Sequence, residues 1–287
     1  MYEGYWQLDR NPFDDDADLR GFFRSATHQA TLLKLRYLIE NGKGTGLLAG
    51  GTGIGKSYLI QVLCRQLAEP FGPFVHLVFP QMSAPELLAW LAVELGAQDE
   101  AGGREADRVD VRGRLDRPGR LDQTVRQIDL RLRKFGEEGR HPVIIIDEAH
   151  LIEDLQVFQA LRLLLNFPQQ SGCRFSLIFV GQNELLNTVR RLGQLEERLA
   201  VKCLIRPLSA EETTSYVSCR LEAAGATRPI FSPQAMQPLY ELSGGIPRRI
   251  NRLCDLALLV GFADESTEIS AEQVEAVAEE LTAVVPD

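Results

Sequence analysis

An α/β domain on a mostly parallel sheet, followed by a small all-helical domain, is the fold this sequence predicts. Short continuous apolar runs recur through the first two-thirds of the chain, and helical patterns separate them. The runs do not alternate apolar with polar residues, which is the pattern of strands covered on both faces. After "RPLS" (206–209) such runs stop, and only helical patterns with explicit start signals remain.

The expected strands are "TGLLAG" (45–50), "PFVHLVF" (73–79), "PVIIIDE" (142–148), "RFSLIFVG" (174–181) and "AVKCLI" (200–205). Helical patterns cover 27–40, 55–68, 84–95, 120–136, 154–167 and 183–192. Strand and helix in turn mean an α/β domain, here residues 1–206. In 207–287, Ser209 with Glu212 has the spacing of a capping box. Ser232-Pro233 offers an N-cap and a first-turn proline, Ser243-Gly244-Gly245 leads into another helix, and Ser270 with Gln273 opens the last.

The bulk composition narrows the class. Of 287 residues, 45% are apolar and 25% charged, the balance of a globular protein with a buried core. A net charge of -9 argues against a chain-wide field for nucleic acid and leaves room for a local basic patch. The five cysteines (Cys64, Cys173, Cys203, Cys219, Cys254) are scattered, without a C-x-x-C pair, so neither a disulfide framework nor a zinc site is expected. That usage fits a reducing, cytoplasmic setting. The four histidines show no metal-ligand spacing. No apolar run is long enough for a membrane-spanning helix, and the acidic, aromatic N-terminus "MYEGYWQLDRNPFDDD" does not read as a signal peptide. The stretch 97–120 is rich in Gly, Asp and Arg, and reads as a solvated, flexible insertion or as a contact that orders on binding DNA or a partner.

The chemistry begins at "GGTGIGKS", 50–57, which fits G-x-x-x-x-G-K-[ST] between an expected strand and an expected helix. Gly50, Gly51, Thr52, Gly53, Ile54 and Gly55 form a turn whose backbone N–H groups can surround phosphate oxygens at a helix N-terminus. Lys56 would reach the β- and γ-phosphates, and the Ser57 hydroxyl would ligate Mg²⁺. The second element is "VIIIDEAH", 143–150: a buried strand delivering two carboxylates at its C-terminal end, where ligands bind in open α/β sheets. Asp147 would hold the Mg²⁺ shell, partly through water, and Glu148 would polarise the attacking water of an ATP hydrolysis. His150 reads as local structure.

Two further residues keep two readings each. Gln182, ending the run "LIFVGQNEL" (177–185), caps the helix that follows, and an adjacent strand would also set it beside the γ-phosphate. Arg198, in "LGQLEERLAVKCLIRPLS" (192–209), pairs with Glu196 or Glu197 or is solvated, or else it projects into a neighbouring subunit's nucleotide site.

These elements, in this order, resemble the AAA+ ATPases, and more narrowly the ExeA/GspA-type ATPases. The resemblance includes "NPF" (11–13), "THQATLLKL" (27–35), the phosphate loop, "IIDEAHLI", "FVGQNEL", "RPLSAEETTSYVSCRLEAAG" and "SGGIPRRINRLCDLAL". It implies a P-loop NTPase with a five-stranded parallel sheet of order 5-1-4-3-2, a helical lid closing over ATP, and ring or filament homo-oligomers acting on a protein partner. Lys56 and Ser57 match its Walker A motif, Asp147 and Glu148 its Walker B motif, and Gln182 its sensor 1. Asn183 stands where the family often has proline. Arg198 matches the arginine-finger position, and the arginine after "GIP" matches sensor 2.

In two respects the chain departs from the family. The insertion at 97–120 is longer than the resemblance implies. ExeA-type proteins also continue past the lid into a membrane segment and a peptidoglycan-binding region. The same core is similar to transposition regulators of the TniB/TnsC kind, which assemble on DNA.

The helical period separates the two arginines of "SGGIPRRIN" (243–251). With Ile246, Ile250, Leu253, Cys254 and Ala257 as the buried face, Arg248 points about 175° away from it and Arg249 only about 75°. Arg248 is therefore the expected sensor and Arg249 a surface or packing residue.

Overall fold

The computed structural model describes residues 1–14, 22–96, 120–167 and 174–283. All of the 97–120 insertion except Arg120 lies outside these described residues. Among the described residues five strands form one sheet: β1 (Thr45–Ala49), β2 (Phe71–Leu77), β3 (His141–Ile146), β4 (Ser176–Gly181) and β5 (Leu199–Leu204). Their order is β2-β3-β4-β1-β5, every neighbouring pair is parallel, and this is the expected 5-1-4-3-2 arrangement of a P-loop AAA+ sheet.

Among the described residues the helices are α1 (Glu3–Trp6), α2 (Ala26–Glu40), α3 (Lys56–Gln66), α4 (Ala84–Glu94), α5 (Arg120–Glu137), α6 (Leu155–Leu164), α7 (Glu184–Arg191) and α8 (Gly193–Glu196). After β5 come α9 (Ala210–Ala223), α10 (Met236–Ser243), α11 (Pro247–Ala263) and α12 (Ala271–Ala283).

The three central strands are buried at every residue, as their continuous apolar runs require. Edge strands β2 and β5 are only partly covered. Pro73, which cannot donate to a ladder, is tolerated in β2 because, among the described residues, that strand pairs on one side only. Lys202 is exposed on β5, a charge that discourages edge-to-edge pairing. "AVKCLI" therefore reads as a fully buried strand in sequence but is an edge strand in the fold.

The chain divides into two compact bodies: residues 1–30, 50–62 and 205–287 in the first, and 31–49 and 63–204 in the second. The second body holds the whole sheet. Side chains alternate along each strand, so Leu47, Ala49, Ile144, Ile146, Leu177 and Phe179 share one face and pack with Leu87, Leu91, Ile128, Leu132, Phe158 and Leu161 of α4, α5 and α6. On the other face, a Cβ on Gly46 would lie 2.9 Å from Leu38 Cδ1, so α2 sits close against β1 there. The helix start at α4 is closed by a capping box between Ser83 and Glu86. His141 opens β3 buried beside Ser176 of β4, with its Nε2 2.9 Å from the hydroxyl, and burial pushes its pKa down to about 4.

The first body differs from a division at residue 206, because the N-terminal segment belongs to it. Tyr2, Trp6, Leu8 and Phe13 join Tyr216, Val217, Leu239, Leu253, Ala257 and Ile269 in one apolar core. Trp6 is 1% exposed, and its indole N–H donates to the Leu258 carbonyl at 3.0 Å. A Cβ on Gly261 would come within 3.0 Å of the Trp6 ring, so that helix position must stay bare. Truncating such a side chain to alanine costs on the order of 3–5 kcal/mol.

Polar ties follow the same course. The Asn11 amide donates to Asp255 at 2.9 Å, the Tyr2 hydroxyl donates to the same carboxylate, and Arg220 donates to the Pro12 carbonyl at 2.6 Å. The capping pairs expected at Ser209–Glu212 and Ser270–Gln273 are both formed. Ser243, by contrast, is the last residue of α10, and Gly244 ends that helix in the left-handed conformation.

Candidate functional site

In the first body, residues 50–57 form a turn that runs into α3. Gly53 and Gly55 take φ of +77° and +90° on either side of Ile54, a conformation that L side chains rarely adopt. The alternation brings successive N–H groups to one side, the geometry of an anion nest. Among the described residues, the N–H groups of Gly53, Ile54 and Gly55 donate to no protein acceptor. Three adjacent unsatisfied donors at a helix N-terminus suit phosphate oxygens, so the loop fits the group that its sequence implies. Lys56 is 6% exposed, and its ammonium donates to the Gly51 carbonyl at 2.9 Å.

Arg248 belongs to the same body and lies against this loop. Its backbone N–H donates to the Gly53 carbonyl at 3.1 Å, and a Cβ on Gly53 would stand 2.9 Å from Arg248 Cβ. The N–H of Arg249 turns back to Ile246 in its own helix. Both arginines are exposed, so exposure does not distinguish them as the helical period does; contact with the loop does.

His28 is the residue that the sequence reading left unused. It is 7% exposed, with Nδ1 2.7 Å from the Ser25 hydroxyl and Nε2 3.1 Å from the Ile54 carbonyl. Burial lowers its pKa, so the ring is neutral near pH 7. The available signal was a histidine at the start of an apolar helix, inside a stretch that already carried the family resemblance.

In the second body the carboxylates sit at the C-terminal end of β3. Asp147 continues the ladder through its N–H to the Leu77 carbonyl at 2.7 Å, and is 1% exposed. Its Oδ1 accepts the Glu148 N–H at 2.8 Å, and His76 Nε2 lies 3.4 Å from its Oδ2. Glu148 has φ +48°, a strained value for a residue with a side chain. Its carboxylate lies 3.3 Å from His150 Nδ1, without the alignment of a hydrogen bond. The expected ligands Ser57 and Asp147 both offer oxygen, the donor type that Mg²⁺ takes.

Gln182 follows β4 directly, and its carbonyl accepts the Leu185 N–H at 3.1 Å, so it closes the first turn of α7. Arg198 pairs with neither Glu196 nor Glu197. It is exposed and donates to Asn166 Oδ1 at 3.0 Å, while Glu196 is taken by Lys202. His76 and Asn166 are thus two more neighbours of expected site residues that sequence spacing did not single out.

Residues 39–189 match the family described as AAA domain, a span that includes the phosphate loop, both carboxylates and Gln182. The chain belongs to the AAA-domain family. It is 30% identical to the general secretion pathway protein A of Aeromonas hydrophila over 99% of its own length, and spans about half (49%) of that relative.

Among solved structures, Cdc6p of Pyrobaculum aerophilum is similar at a TM-score of 0.71 and 15% identity, over 97% of this chain and 75% of that one. The Orc1 protein of Aeropyrum pernix in complex with DNA is similar at 0.63 and 14% identity, over 94% and 68%. These likenesses show the AAA+ fold. No helix among the described residues of this AAA+ chain is long and apolar enough to cross a membrane.

Proposed function

We propose that this AAA+ chain binds and hydrolyses ATP, and works as an oligomeric switch or motor on a protein partner. The observation that carries the reading is the pair at the end of β3: a buried Asp147 beside a Glu148 held at positive φ. Strain of that kind costs about 1–3 kcal/mol and persists where surrounding structure and function require it.

In this reading the loop N–H groups and Lys56 bind the phosphates, Ser57 and Asp147 hold Mg²⁺, and Glu148 takes the proton of the attacking water. Gln182 orients that water. Arg248 senses the γ-phosphate from the helical lid 207–287, and Arg198 acts on the nucleotide of a neighbouring copy. Bound Mg²⁺ neutralises charge on the phosphate oxygens. Steady-state hydrolysis tests the reading: Glu148→Gln is expected to lower turnover at least about 100-fold with ATP affinity kept within about threefold. A wild-type rate no higher than the variant's would refute it.

A second reading is a DNA-associated assembly factor in which ATP drives oligomerisation on duplex. The DNA-bound Orc1 protein among the similar folds favours testing it, and the net charge of -9 weighs against it. A gel shift with duplex DNA and ATP at two salt concentrations decides, since phosphate contacts must weaken as salt rises.

A further inference from the structure

We propose that His28 and the backbone N–H of Arg248 are positioning groups for the phosphate loop, aiming the N–H groups of Gly55 and Ile54 at the bound phosphates. This rests on the nucleotide-binding reading above. It adds a residue outside the motif, and a backbone role for Arg248 besides that of its side chain.

Peptide planarity carries the argument. In a trans peptide the C=O of one residue and the N–H of the next point in opposite directions. His28 holds the Ile54 carbonyl at 3.1 Å on one side, so the Gly55 N–H faces the other. The Arg248 N–H holds the Gly53 carbonyl at 3.1 Å, so the Ile54 N–H is turned in the same manner. Both carbonyls are thus occupied from outside, while the paired N–H groups donate to nothing among the described residues.

The ring's roles follow from its partners. A carbonyl oxygen only accepts, so Nε2 carries the proton, and Nδ1 accepts from the Ser25 hydroxyl at 2.7 Å. The Ile54 carbonyl thereby fixes the tautomer, and the Ser25 hydroxyl orients the ring by donating to Nδ1. The two anchors come from residues 28 and 248, on opposite sides of the loop in sequence. The nest is therefore assembled only when the N-terminal segment and the start of α11 are both in place.

The test uses full-length variants and ATP as the probe, read by equilibrium binding and by the amide signals of Ile54 and Gly55. His28→Phe keeps bulk and removes the donor; it is expected to bind ATP roughly tenfold more weakly, with a smaller shift of both amides on ATP addition. His28→Gln restores a donor near the Nε2 position and is expected within about threefold of wild type. Arg248→Pro lacks the N–H that Arg248→Ala keeps, and is expected to bind roughly tenfold more weakly than Arg248→Ala.

Wild-type affinity in His28→Phe, equal weakness of His28→Phe and His28→Gln, or equal affinity of the two Arg248 variants would each overturn the proposal. If His28→Phe fails to fold, the Arg248 pair still decides. A wild-type chain that binds no ATP would overturn the nucleotide reading as well, whereas a binding wild type with an unaffected His28→Phe removes the positioning role alone.

Discussion

The loop at 50–57 is held in shape by residues far away in the chain, whereas the strand end at 147–148 is held by its own sheet. Gly53 and Ile54 spend their carbonyls on Arg248 and His28. Asp147 instead extends the β2–β3 ladder by one more bond, and Glu148 leans on Asp147 next door. A turn has no ladder to inherit, so its peptide directions must be set by outside partners. A residue at the end of a buried strand receives its position from pairing that is already complete. The loop should accordingly respond to changes at a distance and the strand end to changes in the sheet.

The largest expected effect separating the two is acid. His141 begins the carboxylate-bearing strand with a pKa pushed down from 6.5 to about 4, so its neutral form is favoured in the fold. The unfolded chain then binds more protons between those values. The contribution is complete above about pH 6.5 and is lost progressively as pH drops from there through about 4, by up to about 3 kcal/mol. Urea unfolding at stepped pH should show this loss, and His141→Gln should reduce it. A loss unchanged in the variant would place the acid weakness elsewhere.

Gly53→Ala attacks the loop. It forces a side chain at φ +77° and sets a Cβ 2.9 Å from Arg248 Cβ, so ATP affinity should fall roughly tenfold or more. Unchanged affinity would mean that the loop tolerates displacement of its outside anchor, and the contrast with the strand end would dissolve.

The two arginines sharpen the picture. Arg248→Ala should slow steady-state ATP hydrolysis roughly tenfold, the order of one lost charge-assisted contact, and Arg249→Ala less than about twofold. Equal effects would show that contact with the loop does not single out Arg248. The smallest effect belongs to the strand end: Glu148→Gly should exceed Glu148→Ala in thermal stability by about 1 kcal/mol, because glycine adopts the positive φ without steric cost. The reverse order would mean that Glu148 is not strained.

Much of this was legible in the residues. The five apolar runs are the five strands, within two residues at every end, and in β1, β3 and β4 the reason is that parallel strands covered on both faces are continuously apolar. The capping boxes at Ser209 and Ser270 were readable because a cap is a local bond between residues three apart. The placement of Asp147 and Glu148 was readable for the same reason, since a strand end is a local feature.

Sequence spacing could not decide three things. The N-terminal segment joins the helical core because Trp6 and Tyr2 find partners about 250 positions away. Among the described residues β2 and β5 stand at the two ends of the sheet, which their apolar runs alone do not announce. And the loop's N–H groups are aimed by His28 and Arg248, which approach it only in the folded chain. Local periodicity and short motifs determine what each segment is. Which distant groups satisfy its remaining donors and acceptors is decided only by the tertiary structure, because hydrogen bonds depend on distance in space and not on separation along the chain.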